Sequence, residues 1–252
     1  MRNRILADLV TANATAPAHL VTRRRGLACA ALALACTVFA GISVAEEPPR
    51  RIGFEVVTAA ESPTIKPGVV LVRYNGQIAY PMAENLAEIW NGIRGSHTRV
   101  VLDLDSPGGD LVHAEMVIAV LREIAGEVAL TTVVEQGNRC LSACVLVYMQ
   151  GADRAAGGAT AWMFHGACPP FSNIPSAVAT RRYLADLEEA GVATQFLCNL
   201  ETYGFLDAPG RFWASGYELF HVYEANVITR LLEPWEPAAP LALPIDRQIR
   251  SR

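Results

Sequence analysis

The sequence predicts an α/β fold with a largely parallel sheet. Short apolar or β-branched runs alternate with stretches of helical period, the connections between them are short, and Gly- and Pro-containing breaks mark the joints. Val69 to Tyr74 is a β-type run, closed by the turn pair Asn75-Gly76. Pro81 to Ile93 places Met82, Leu86, Ile89 and Trp90 at helical spacing behind a leading proline. Arg99 to Leu104 reads as a short buried strand, broken sharply by Ser106-Pro107-Gly108-Gly109. Asp110 to Ala125 follows a helical period through Leu111, Met116, Ile118, Val120, Leu121 and Ile124, and Val128 to Val134 is the next strand. A loop with Gly137 and Asn138 leads into Cys140-Leu141-Ser142-Ala143-Cys144 and an apolar helical run to Met149. Gly151 to Gly158 reads as a turn region, Ala161 to His165 as a strand ending on a histidine, and Ser176 to Leu197 as one long amphipathic helix.

This order implies crossover units, and ligand sites in such sheets lie beyond the carboxyl ends of the strands. The Ser106–Gly109 turn, the loop before Ser142 and the end of the His165 strand all fall at such ends.

Not all 252 residues belong to this core. Arg23-Arg24-Arg25 precedes an apolar run from Gly26 to Ala45, with an A-x-A-like end at Ser43-Val44-Ala45; these are the parts of a secretory signal. The expected organisation is a signal peptide or N-terminal anchor at 1–45, an extended segment at 46–67, one domain at 68–232 and a Pro-rich tail at 233–252. Cleavage near Ala45 makes the protein periplasmic or secreted. Retention of residues 26–45, about the length of a membrane span, would leave it membrane-anchored and facing the periplasm. Loss of 1–45 removes five Arg and one Asp and takes the formal charge from −4 to −8, which argues against a nucleic-acid partner.

Cys29 and Cys36 lie in the leader, and Cys140, Cys144, Cys168 and Cys198 remain. Four cysteines in an exported chain suggest up to two disulfides, with three full pairings open. Pairing of Cys140 with Cys144 is the least attractive if both lie in one helical turn; buried free thiols are the alternative.

An acyl-transfer site needs a nucleophile, a base and oxyanion donors. Ser142 stands where a loop enters a helix, so the Ala143 amide is a natural donor. Gly108 and Gly109 offer amides with no side chain in the way, and His165 can take the serine proton. Each has an ordinary reading: Ser142 as a helix cap, the Gly pair as a turn, His165 as a hydrogen-bonded core or rim residue. His113-Ala114-Glu115 matches part of a zinc-deaminase pattern, but two residues apart on a helix they share no face, and no metal or cofactor is expected. Asp103 and Asp105 read as structural, and Trp90, Trp162, Trp213 and Trp235 as core or rim.

Taken together, Val100 to Asp110 resembles the strand and oxyanion turn of Clp-type serine proteases and signal-peptide peptidases. Cys140 to Cys144 falls at that family's nucleophile, Gly151-Ala152-Asp153-Arg154 and Met163-Phe164-His165 at the approach to its histidine, and Phe212–Ser215 through Ala225–Ile228 at its late helix and closing strand. The resemblance covers about residues 68–230 and implies the ClpP/crotonase-type fold of repeated β-β-α units. It makes Ser142 the nucleophile and His165 the base, with Gly109 and Ala143 as oxyanion donors. The family's acid would stand at Gly210, which cannot serve; Asp207 is the candidate in its place, then Glu201, then Asn226. Lys66, before the first strand, is the only lysine, so the lysine-base mechanism of the peptidase branch does not fit. The resemblance implies a hydrolase acting on peptides or proteins, assembled as a homo-oligomer, with no Clp-type ATPase outside the cytoplasm. A Clp-like protein with little or no activity that binds peptides or an assembly partner is the alternative. An acyl-CoA enzyme of the crotonase type comes last, because an exported protein meets little CoA.

Overall fold

The structure is a computed structural model and describes residues 53–169, 172 and 174–232. The expected leader at 1–45, the expected tail at 233–252 and Trp235 lie outside them.

Nine strands and six helices follow in the order β1 (Phe54–Thr58), β2 (Val69–Asn75), α1 (Met82–Ile93), β3 (Arg99–Asp105), α2 (Leu111–Glu127), β4 (Ala129–Val134), β5 (Arg139–Leu141), α3 (Ala143–Tyr148), β6 (Asp153–Gly157), β7 (Ala161–Phe164), α4 (Ala177–Glu189), α5 (Thr194–Thr202), β8 (Phe212–Ser215), α6 (Gly216–His221) and β9 (Arg230–Leu232), counted among the described residues. The main sheet has six strands in the order β1-β2-β3-β4-β6-β9. Every pairing in it is parallel except β1 with β2. A second sheet, β5-β7-β8, joins β5 to β7 in parallel and β7 to β8 antiparallel.

Period-two alternation sorts the main sheet's side chains. Val70, Val72 and Tyr74 of β2 and Val100, Leu102 and Leu104 of β3 enter the large core under α1, α2 and α3. Val69, Leu71 and Val101 face the other way, into a small cluster with Ile65, Val133, Ala155 and Leu232. Helix α1 buries Met82, Leu86, Ile89 and Trp90, the residues its spacing singles out. In α2 the buried stripe is Ala114, Val117, Ile118, Leu121 and Ile124, while Met116 stays largely exposed. Helix α3 is buried on every side.

Three expectations change. The segment before Gly68 supplies β1, an edge strand of the main sheet. The turn region at 151–158 contains β6, which takes its place in the sheet by pairing with β4 and β9. The long helix at 176–197 is two helices, divided at Gly191, whose φ of +96° no helix accommodates. Among the described residues no helix is long and apolar enough to cross a membrane.

Candidate active site

Ser142 lies between β5 and α3, where the chain must reverse within one residue. It does so with φ 54° and ψ −122°, a conformation that costs a non-glycine residue about 1–3 kcal/mol. Its amide donates to the Met163 carbonyl at 2.8 Å, and the buried Tyr183 hydroxyl donates to the Ser142 carbonyl at 3.3 Å. The side chain makes no capping hydrogen bond, so the ordinary reading of this serine as a helix cap fails.

The Ser106–Gly109 turn packs directly on this reversal. Gly108 has φ +89°, and a Cβ there would run into the Leu141 carbonyl and stand 2.9 Å from Ser142 Cβ. The Gly108 amide is occupied by Ser106 Oγ at 3.1 Å, so Gly108 contributes close approach and not a donor. Gly109 is held on both sides: Ile78 N–H donates to the Gly108 carbonyl at 2.8 Å, and Asp110 N–H donates to the Ile78 carbonyl at 2.9 Å. The Gly109 and Ala143 amides have no acceptor among the described residues.

His165 follows β7 directly. It lines one cleft of about 900 Å³ together with Ser142, Gly109, Asp110, Tyr183 and Arg211. Burial holds its imidazole below the ordinary 6.5; the Arg211 charge pushes the same way, and a hydrogen bond with the Gly166 backbone opposes both. The neutral ring is therefore the form present at neutral pH. Ser142 Oγ and His165 share no hydrogen bond in this conformation, and no carboxylate hydrogen-bonds to His165 among the described residues.

None of the three candidates for the acid hydrogen-bonds to His165 among the described residues. Asp207 and Glu201 line a separate depression with Arg181. Asn226 Nδ2 donates to the Gly191 carbonyl at 2.7 Å and so ties the α4–α5 turn to the C-terminal segment. Gly210 is fixed as glycine, because a Cβ there would meet the carbonyls of Gly204, Asp207 and Phe205. Sequence reasoning passed over Arg211, which reaches the histidine by strand register. Phe164 pairs with Phe212, so His165 and Arg211 are next in line across the antiparallel ladder.

Cys140 and Cys144 form a disulfide, against expectation. The two are not in one helical turn. Cys140 lies within β5, Cys144 in the first turn of α3, and the reversal at Ser142 brings their Cα atoms to 5.2 Å. Cys168 and Cys198 are free: the first half-buried in the cleft wall, the second exposed. No group of three or more His, Cys, Asp and Glu side chains among the described residues is arranged to hold a metal. His113 Nδ1 instead lies 3.0 Å from Asp110 Oδ1, the oxygen that caps α2.

No family model matches the sequence, and no curated protein does. Among solved structures, a point mutant of ClpP1 from Listeria monocytogenes is similar with a TM-score of 0.50 and 15% identity, over 65% of this chain and 91% of that one. At that identity the likeness concerns the fold alone, and with the mostly parallel sheet it shows that the chain has a ClpP-type fold.

Proposed function

We propose that this protein is an exported serine hydrolase that cleaves peptide bonds through an acyl-enzyme on Ser142. The observation that carries the reading is the Ser142 reversal: an uncapped hydroxyl on a strained turn, in the same cleft as a neutral histidine and beside the amides of Gly109 and Ala143. In the first step Ser142 Oγ bonds to the scissile carbonyl carbon while its proton passes to His165. The carbonyl oxygen, now carrying the electron pair, is stabilised by the two amides. Collapse breaks the C–N bond, and the amine leaves with the proton from His165. Water then adds to the acyl carbon by the same route and frees Ser142. A rotation of the Ser142 or His165 side chain must bring Oγ to the imidazole, since catalytic contacts often tighten only when substrate binds.

Export is supported by the apolar run after Arg25 and by the Cys140–Cys144 disulfide, which an oxidising compartment favours. Assembly into a homo-oligomer is part of the same proposal. One observation favours the second reading, a peptide-binding protein without turnover: among the described residues no carboxylate hydrogen-bonds to His165 to orient it. Fluorophosphonate labelling of the purified protein separates the two. Labelling that Ser142→Ala abolishes supports the hydrolase; an unlabelled, folded protein supports the binding protein.

A further inference from the structure

Two acidic and two basic side chains line the cleft around Ser142 and His165: Asp110, Glu115, Arg182 and Arg211. Three are matched inside the protein. Asp110 accepts from the His113 backbone at 3.0 Å and lies equally close to its ring. Glu115 pairs with Arg182 at 2.6 Å. Arg211 has neither an ion pair nor a hydrogen bond among the described residues. It is exposed, yet the backbone around it is fixed: Phe212 is fully buried against Phe164, Phe196 and Phe205, and the preceding Gly210 is closed in by three carbonyls. The register of β7 and β8 sets this guanidinium across from His165. Among the described residues the cleft thus presents one cation without a partner, on a fixed backbone, next to the base.

We propose that Arg211 is a specificity-determining residue that takes a carboxylate of the peptide bound in this cleft. The inference rests on the hydrolase reading for its substrate class, but the binding it describes needs no turnover. A guanidinium offers two parallel N–H donors to a carboxylate, and the cleft's other guanidinium, Arg182, is already paired with Glu115. A bound peptide also shields the pair from water, which strengthens it relative to an exposed ion pair. The carboxylate can be an Asp or Glu side chain or a free C-terminus.

The test is peptide binding to the full chain carrying Ser142→Ala, followed by fluorescence anisotropy at low and high salt. Four labelled peptides of one length are compared: acidic side chain with amidated end, neutral with free end, neutral with amidated end, and basic with amidated end. The expected result is binding of one or both carboxylate peptides about tenfold tighter than the neutral amide. Which of the two binds identifies the source of the carboxylate. Salt should reduce the difference, Arg211→Ala should remove it, and Arg211→Glu should turn the preference to the basic peptide. Equal binding of all four, no binding, or a preference that survives Arg211→Glu overturns the proposal. Labelling of wild type by a neutral fluorophosphonate reports separately on Ser142. A labelled enzyme with charge-blind binding rejects the role of Arg211 alone, and an unlabelled protein that still selects carboxylates rejects the hydrolase alone.

Discussion

The Ser142 amide donates to the Met163 carbonyl, and that 2.8 Å bond ties the turn carrying the hydroxyl to the strand that leads into His165. The two side chains therefore share a cleft because β5 and β7 pair, with Leu141 beside Met163, and not because they are near in sequence. Whatever disturbs the reversal at Ser142 should disturb the chemistry before it disturbs the fold.

Gly108→Ala is the sharpest such disturbance. A methyl group there meets the Leu141 carbonyl and Ser142 Cβ, and φ +89° disfavours any side chain. Overpacking costs about 1–3 kcal/mol, and the backbone adds a similar amount. The expected outcome is a folded but destabilised protein whose fluorophosphonate labelling is lost. Wild-type labelling in this variant, at wild-type melting temperature, would show that the turn does not brace Ser142.

The Cys140–Cys144 disulfide closes a five-residue loop around Ser142. Chain entropy for so small a loop is about 2 kcal/mol, comparable with the strain at Ser142. Replacing both cysteines with alanine should lower the melting temperature by about 4–8 °C and slow labelling. An unchanged labelling rate would make the bridge a stabiliser of the fold alone.

His165 is held below its ordinary value of 6.5, first by burial and then by the Arg211 charge. The labelling rate should follow the neutral imidazole and reach half its maximum below pH 6.5. Arg211→Gln removes one of the two causes and should move that midpoint upward. His165→Ala should lower the rate by about 10²–10⁴-fold and leave no such limb. A midpoint above 6.5 in the wild type would contradict the burial of the ring.

Asp103 lies on the far face of the main sheet, with Arg73 3.6 Å away and one carboxyl oxygen unpartnered. Burial, followed by the charge of Glu135, raises it from 3.8 to about 7. Folding thus favours its neutral form. Its contribution to stability is complete below 3.8 and is lost as pH rises through about 7. Between about pH 4 and pH 7 the melting temperature of the wild type should fall relative to that of Asp103→Asn, with no further divergence above about pH 8. Parallel curves would show that Asp103 is already ionised in the fold.

Much of this was legible in the chain. The α1 stripe, the glycine turn and the convergence of Ser142 with His165 follow from hydrophobic period and from the order of strand ends. The disulfide was hidden because a serine gives no local sign of positive φ, and without that reversal Cys140 and Cys144 can be placed in one helical turn, where their pairing is unattractive. Asp153 to Gly157 carries no strand pattern, and its pairing with Thr131–Val134 is a tertiary effect. The division at Gly191 lay inside a continuous amphipathic pattern. Arg211 has no motif at all, and only the register of β8 on β7 brings it to the histidine.

The most direct measurement is the site of modification by diisopropyl fluorophosphate, read by mass spectrometry of tryptic peptides. The account predicts one adduct, on the reduced peptide spanning residues 140–154, at Ser142, and none after His165→Ala at the same exposure. An adduct on another serine, or modification at Ser142 that proceeds equally well without His165, would contradict it.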